Sequence, residues 1–149
     1  MVVTRTFSKT WSLAAARLGY LIGPSGLVAE LDKVVLPYHL DAVKQLAGRL
    51  ILEFADEMSA AVAAVVAERE RVGAALADCG ALVVPSGANF ILFQPGQRDA
   101  HEVWRGVLER GVLIRDCSQW PRLGGYLRVT IDQPEENDAF VQALREVMS

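Results

Sequence analysis

The sequence has few of the features that define several classes of protein. Its two cysteines, Cys79 and Cys117, lack the spacing of a metal site or of a secreted disulfide framework. It has no basic-then-apolar leader, and its most apolar stretch, residues 60–67, is too short to cross a bilayer. Basic residues do not exceed acidic ones (15 against 18, net charge −3), which argues against a general nucleic-acid binder. We therefore expect a soluble cytoplasmic protein without a metal, a membrane or a nucleic acid as partner.

The composition is that of a folded globular chain. Hydrophobic residues make up 52% of the 149 residues, and the mean hydropathy is +0.23, which excludes a largely disordered protein. The length fits one domain, or a domain and a fragment of another. The sequence has no internal repeats and no low-complexity tail.

The first forty residues predict two strands and a helix but no complete sheet. β-Branched and aromatic residues predict strands at 2–7 and 18–22, separated by a loop with a helical turn. Pro24 suits the first turn of a helix, whose apolar spacing continues until Pro37. Two strands alone are only marginally stable.

The rest of the chain predicts helices followed by a small sheet. Asp41 is the expected N-cap of a helix running towards Phe54, and a longer helix covers 56–79 and stops at Gly80. Four strands are predicted at 82–84, 89–93, 112–115 and 126–131. Asp99 and Asp132 are the expected caps of two further helices. Because few crossovers separate the strands, we expect a mainly antiparallel sheet with helices on one face.

The stretch "TFSK" near the start of the chain carries the strongest chemical signal. An arbitrary lysine is most often solvated, but Lys9 stands beside the hydroxyls of Thr6 and Ser8 and eight residues before Arg17. Hydroxyls and a planar guanidinium suit phosphate oxygens, and an amine beside them is placed to attack a carbonyl attached to that phosphate. Pyridoxal 5′-phosphate is the cofactor that has both an aldehyde and a phosphate.

These residues, together with Leu13-Ala14 and Arg17-Leu18-Gly19-Tyr20, resemble the Schiff-base segment of fold-type I pyridoxal-phosphate aminotransferases. The greatest similarity is to the histidinol-phosphate aminotransferase family. Two departures stand out: Ala15 and Asp132 occupy positions where the family usually has glycine. The other matching segments are Leu36-Pro37-Tyr38 with Gln45, Pro85 to Phe90 ("PSGANF"), Gly111 to Asp116 ("GVLIRD"), and Tyr126 to Thr130 ("YLRVT") followed by Glu135-Glu136-Asn137.

The resemblance implies a role for each of seven residues. Lys9 would be the catalytic residue that holds the cofactor covalently and carries a proton between the substrate α-carbon and the cofactor. The cofactor phosphate would be bound by Thr6, Ser8 and Arg17, and the substrate by Arg128, Arg115 and Asn89. Without the resemblance, solvation is the commoner fate of the two strand arginines, and Asn89 is as readily a turn residue that bonds its own backbone.

The resemblance also predicts how the chain is organised. We expect an α/β fold in which residues 79–149 form an α+β small domain with a mainly antiparallel sheet covered by helices. Residues 1–40 would be a remnant of the cofactor-binding large domain with its last strands, and 41–78 would be connecting helices. The family's aspartate for the pyridine nitrogen precedes the lysine segment, so we expect a C-terminal portion of a longer enzyme, inactive in isolation.

The implied reaction interconverts histidinol phosphate and 2-oxoglutarate with imidazole acetol phosphate and glutamate. The partners would be a small amino donor, a 2-oxo acid and a second copy of the enzyme in a homodimer. Two enzymatic alternatives stay open, an aromatic aminotransferase and a threonine-phosphate decarboxylase-like enzyme. A non-catalytic small domain that acts in assembly or binding is the alternative from another class.

Overall fold

A computed structural model describes all 149 residues and divides the chain into two compact units, Met1–Val62 and Ala63–Ser149. The boundary falls inside a long helix, α3 (Ala55–Asp78). The division into segments that end at residues 40 and 78 stays a prediction. No helix combines the length and the apolar character that crossing a membrane requires.

The first unit begins with an antiparallel pair of strands, β1 (Val3–Thr6) and β2 (Gly19–Ile22), as predicted. Thr6 lies opposite Gly19, where a Cβ would fall 2.7 Å from the carbonyl oxygen of Arg5. Glycine is therefore required for the strands to approach at this point. The connection between them contains the predicted helical turn, a 3₁₀ helix at Ala14–Ala16.

Helix α1 (Ser25–Asp32) ends five residues before Pro37, so the predicted extent was wrong. Its last turn tightens into i→i+3 bonds, from the N–H of Lys33 to Glu30 and from that of Val34 to Leu31. The following side chains are exposed, so no buried face holds a further turn in the helix. Proline thus marks the latest point at which the helix could end, not its actual end.

Three helical segments follow in close succession: α2 (Ala42–Leu50), a 3₁₀ helix (Ile51–Phe54) and α3. The Asp41 carboxylate accepts a hydrogen bond from the Lys44 N–H at 2.9 Å, which confirms the predicted cap. At the other end Gly80 has φ +81°, as expected for a helix-terminating glycine.

The second unit contains a four-stranded antiparallel sheet in the order β3-β4-β6-β5. Its strands are β3 (Leu82–Val83), β4 (Phe90–Gln94), β5 (Arg115–Asp116) and β6 (Leu127–Thr130), and its helices are α3, α4 (Ala100–Glu109) and α5 (Pro134–Met148). Burial alternates along the central strands: Ile91, Phe93, Leu127 and Val129 are buried, whereas their neighbours are less so. One face of the sheet therefore packs on the helical core, and the predicted fold class is confirmed.

Strand β5 was predicted at 112–115 but lies at Arg115–Asp116. The backbone before it is used elsewhere: the Val112 N–H closes the end of α4 by bonding to Val107 at 3.2 Å, and the Ile114 carbonyl accepts from the Trp104 indole at 3.0 Å. Because the Val112 N–H and the Ile114 carbonyl already form these hydrogen bonds, pairing with β6 begins only at Arg115.

The prediction that Asp132 is the N-cap of α5 was wrong. Gln133 occupies that position, and the Asp132 carboxylate accepts from the Gln133 N–H at 2.9 Å. The buried side chain of Asn137 explains the difference, because its amide bonds to both the N–H (3.1 Å) and the carbonyl (2.8 Å) of Asp132. Pro134 begins the helix as predicted.

Candidate functional site

The connection between β1 and β2 presents the lysine predicted to be catalytic. The Phe7 N–H bonds to Leu18 and the Leu13 N–H bonds back to Phe7, both at 3.0 Å, so the chain after β1 turns sharply. The Thr6 hydroxyl accepts the Ser8 N–H at 3.0 Å. The Lys9 side chain projects from this turn, is exposed and has no carboxylate partner. The Lys9 amine is therefore accessible to a ligand.

Arg17 follows the 3₁₀ turn in the left-handed region, with φ 52°. Its Nη1 donates to the Ala14 carbonyl at 2.9 Å, so one guanidinium nitrogen orients the side chain and the other donors stay available. A non-glycine residue in this region costs about 1 kcal/mol or more and is often found at functional sites. Ala15, the departure from the family pattern, lies within the turn and does not have positive φ, so glycine is not required there.

The electrostatics of this connection favour an anion. The first 29 residues contain Arg5, Lys9 and Arg17 but no aspartate or glutamate. The Ser8 hydroxyl adds a neutral donor to the cations, whereas the Thr6 hydroxyl donates to the Leu18 carbonyl at 3.5 Å. This set of residue types would suit a phosphate ester that carries an aldehyde, because cations and hydroxyls are ligands for phosphate oxygens and an amine can react with a carbonyl.

An aromatic cluster lies beside the same connection. The ring of Phe7 is 6.1 Å from that of Trp11 and 6.0 Å from that of Tyr20 between centroids. Such pairs add about 0.5–1.5 kcal/mol beyond area burial. They fix Phe7, and thereby the backbone on either side of it.

The two arginines predicted to bind substrate are brought together on the sheet of the second unit. Arg115 and Arg128 lie directly opposite each other on β5 and β6, so their side chains project from the same face, away from the core. The Arg128 guanidinium carbon is 5.1 Å from the centroid of the Phe90 ring. The Arg128 Nε is buried without a hydrogen-bond partner. Like charges facing each other are unfavourable until an anion binds between them.

Neither arginine of this pair forms a salt bridge. Asp116 pairs with Leu127, on the buried face, and accepts from the Ser118 N–H at 2.8 Å and from His101 at 3.3 Å. A hydrogen bond from the Ser118 side chain, followed by those from the Ser118 N–H and His101, lowers the pKa of Asp116. The neighbouring Cys117 thiol is buried, which raises its pKa and leaves it inert.

A cleft of about 710 Å³ has both arginines in its lining, together with Trp104 and three acidic residues, Asp116, Asp132 and Glu136. Its volume is in the range of small-molecule sites. Asn89 lies just before β4, where its carbonyl accepts from the Ile131 N–H at 2.9 Å. The seven candidate residues thus form two sets, one in each unit: Thr6, Ser8, Lys9 and Arg17 in the first, and Asn89, Arg115 and Arg128 in the second.

Comparison with known proteins decides the family. The model of aminotransferase class I and II matches residues 1–144. The chain belongs to this family. It is 48% identical, over 147 residues, to histidinol-phosphate aminotransferase of Mycobacterium leprae (strain Br4923). The match covers 99% of this chain and 38% of that protein. This chain therefore spans less than two-fifths of the length of that relative.

Solved aminotransferase-type structures share the fold. Histidinol-phosphate aminotransferase from Sinorhizobium meliloti, in complex with pyridoxal-5′-phosphate, superposes with a TM-score of 0.84 at 28% identity, over 99% of this chain and 40% of that one. L-threonine-O-3-phosphate decarboxylase from Porphyromonas gingivalis also gives a TM-score of 0.84, at 26% identity, over 97% of this chain and 46% of that one.

Two residues of the second unit's site were not predicted from the sequence. Phe90 falls only within the strand predicted at 89–93. Arg69 belongs to a charged run, Glu68 to Arg71, for which the sequence alone predicts a solvated face. That expectation was wrong for Glu68 and Arg69, whose side chains are only 18% and 14% exposed. Strand register could have identified Phe90. Once β4 and β6 are paired, the β4 residues on the sheet face away from the core lie beside Arg128.

Proposed function

We propose that this chain supplies the lysine and the substrate-binding arginines of a pyridoxal-phosphate-dependent transaminase that acts on histidinol phosphate with 2-oxoglutarate. The observation that carries the proposal is the connection between β1 and β2, where an unpaired lysine stands among hydroxyls and cations without any acidic residue. The 48% identity to a histidinol-phosphate aminotransferase supports this choice of substrate. A homodimer and a cytoplasmic location are part of the proposal and rest on family resemblance.

The residues of the first unit would hold the cofactor. Thr6, Ser8 and Arg17 bind its phosphate, and Lys9 is its covalent anchor. When bound, pyridoxal phosphate supplies the aldehyde for Lys9 and a ring that accepts the electron pair left at the substrate α-carbon. The Lys9 Nζ would take the proton from the substrate α-carbon and deliver it to the cofactor.

The residues of the second unit would hold the anionic end of the substrate. Arg128 and Arg115 face each other without a carboxylate partner, so a phosphate ester bound between them relieves their repulsion and accepts several hydrogen bonds. Asn89 contributes a polar contact at the start of β4. These contacts would fix the orientation of a substrate bound at the second unit.

A second candidate reaction uses the same anion. The similarity to L-threonine-O-3-phosphate decarboxylase, at 26% identity, favours a decarboxylase that also binds a phosphate ester. Two facing arginines suit either substrate, so only the chemistry at the α-carbon separates the two reactions.

The chain contains three lysines, which makes its cofactor anchor testable. Lys33 pairs with Glu30 at 2.6 Å and Lys44 pairs with Asp41 at 3.0 Å, whereas Lys9 is unpaired. We expect that incubation with pyridoxal phosphate, borohydride reduction and peptide mass spectrometry will find the label concentrated on Lys9. Arg17→Met should reduce that label without changing the low level on Lys33 and Lys44. Equal labelling of all three lysines would overturn the cofactor assignment.

The substrate assignment needs its own measurement. We expect the isolated chain to show little or no turnover, so calorimetry should compare binding of histidinol phosphate, O-phosphothreonine and phosphate-free histidinol. Tighter binding of the two phosphate esters, lost in Arg128→Met, would support the anion site. Preference for histidinol phosphate over O-phosphothreonine would favour the transaminase, and the reverse order would favour the decarboxylase.

A further inference from the structure

We propose that Arg69 is a positioning residue for Arg128: it fixes the turn before β4 and, through Phe90, sets how the Arg128 guanidinium is presented to an anion. The anion-binding part of this inference rests on the proposed function. The positioning part rests on contacts within the second unit alone.

Arg69 is largely withdrawn from solvent. Its Nη1 donates to the Ala88 carbonyl at 3.2 Å, its Nη2 contacts the exposed Glu70 carboxylate at 3.0 Å, and its Nε is buried without a partner. A buried and unsatisfied N–H is unfavourable, and a solvated arginine at this helix position would avoid it. The contact that distinguishes the observed position from a solvated one is the bond to Ala88.

That bond adds to the other hydrogen bonds that hold the turn before β4. The Ser86 hydroxyl accepts the Ala88 N–H at 3.1 Å and donates to the Phe90 carbonyl at 2.6 Å. Beside it, the Cβ position of Gly87 has nothing within 4 Å. The position of the turn therefore depends in part on hydrogen bonds, which also include that from the Ile131 N–H to the Asn89 carbonyl at 2.9 Å. Ser86 holds the N–H of Ala88, and Arg69 holds its carbonyl.

The turn leads directly into the residue that orients Arg128. Phe90 is the first residue of β4, and its ring lies under the Arg128 guanidinium at 5.1 Å. Since the Arg128 Nε has no hydrogen-bond partner, the stacking on Phe90 is the contact that can fix the plane of the guanidinium. Movement of the Ala88 carbonyl would shift Phe90 and change that plane.

The first test needs no ligand. In the ¹⁵N-labelled 149-residue chain, the Arg128 Nε–H resonance should carry a ring-current shift from Phe90, and Phe90→Leu defines the value without the ring. We expect Arg69→Met to move the resonance at least halfway towards that value. Arg98→Met is the matched control, because Arg98 also donates to a backbone carbonyl, that of Met148, at 3.2 Å. It should leave the resonance unchanged.

Two further variants keep the test decisive. Arg69→Gln is neutral, shorter and still polar, so it serves if Arg69→Met does not fold. A folded Arg69 variant of either kind with an unshifted Arg128 resonance would overturn the proposal. Loss of folding in both variants would assign Arg69 to core stability and would overturn it as well. Arg69→Lys keeps a cationic donor and should shift the resonance less than Arg69→Met.

Titration with inorganic phosphate tests the consequence for binding. We expect Arg69→Met to weaken phosphate binding at Arg128 about three- to tenfold, as the loss of one oriented contact predicts, and Arg98→Met to leave it unchanged. Equal affinity in Arg69→Met and the unsubstituted chain would overturn the link to anion binding. If the unsubstituted chain did not bind phosphate at Arg128, the proposed substrate site would fail, while the resonance shift would still decide the positioning role.

Discussion

The two units of the chain differ in how they are stabilised. Every buried hydrophobic residue lies in the second unit, from Val72 to Leu144. The first unit has none, and it carries most of the large hydrophobic side chains that are exposed, including Ile22 (60%), Leu36 (73%) and Tyr38 (99%). The second unit therefore buries a core of its own, whereas the first presents an apolar surface of the kind that binds other protein.

This difference separates the two halves of the proposed chemistry. Arg115 and Arg128 are mounted on a four-stranded sheet backed by helices, a rigid support for an anion site. Lys9 and Arg17 are mounted on a two-stranded sheet, which is marginally stable without further packing. The geometry of the arginine pair should therefore survive conditions that disturb the lysine connection.

The largest contrast is expected from truncating one apolar residue in each unit. Phe93 is fully buried and packs against Phe140, with 6.2 Å between ring centroids. Phe93→Ala should lower the free energy of unfolding by about 3–5 kcal/mol, because it leaves a cavity in the core. Leu21→Ala, at a position 37% exposed on β2, should change it by about 0.5 kcal/mol or less. Urea unfolding measures both, and equal losses would contradict the division between the units.

A smaller contrast is expected at two helical glycines. A Cβ at Gly106 on α4 would lie 2.8 Å from a methyl of Val147, a β-branched residue with restricted rotamers. A Cβ at Gly48 on α2 would meet only the end of the Leu18 side chain, which can move. Gly106→Ala should therefore destabilise the chain by about 1–3 kcal/mol, despite the higher helix propensity of alanine.

Gly48→Ala is the control for this experiment, since it receives the same gain in propensity without a rigid neighbour. It should be neutral or slightly stabilising, and chemical unfolding followed by circular dichroism is a sufficient measurement. A greater loss in Gly48→Ala than in Gly106→Ala would show that the first unit is the more tightly packed of the two.

Residue types within one turn of a helix predicted much of the fold. Prediction failed where contacts between residues distant in sequence determine the position of an element. The caps at Asp41 and Asp99 and the stop at Gly80 depend on residues within one turn of the helix, and all three are confirmed. The position of β5 depends on the Trp104 indole, ten residues away, and the start of α5 depends on the Asn137 side chain. No local pattern carries those contacts.

The candidate site shows the same limit. The lysine motif is contiguous in sequence and could be recognised directly, although the roles of its residues stay predictions. The stacking of Phe90 under Arg128 exists only once β4 and β6 are paired. The bond from Arg69 to the Ala88 carbonyl forms only once α3 packs beside the turn. From the sequence alone a charged run is predicted to be a solvated face, because burial depends on packing and not on composition.

The run from Glu68 to Arg71 provides the smallest and most specific contrast between the two units, which is a dependence of folding stability on pH. Glu68 accepts hydrogen bonds from Arg71 at 2.7 and 2.9 Å and from Asn137 at 2.8 Å. Led by those from Arg71, they lower the pKa of Glu68 from its ordinary 4.5 to about 2. Because the folded-state pKa is the lower one, the stabilisation is complete above about pH 4.5 and is lost as the pH falls towards 2.

Glu68→Gln keeps an acceptor for Asn137 but cannot titrate, so its unfolding midpoint in urea should depend less on pH between 5 and 2 than that of the unsubstituted chain. Asp41→Asn is the matched change in the first unit, where the hydrogen bond from the Lys44 N–H also lowers a carboxyl pKa. Since that pair caps an exposed helix and touches no core, Asp41→Asn should leave the acid dependence of the second unit unchanged. An equal flattening by both substitutions would mean that acid acts on the chain as a whole and not on the contact between α3 and α5.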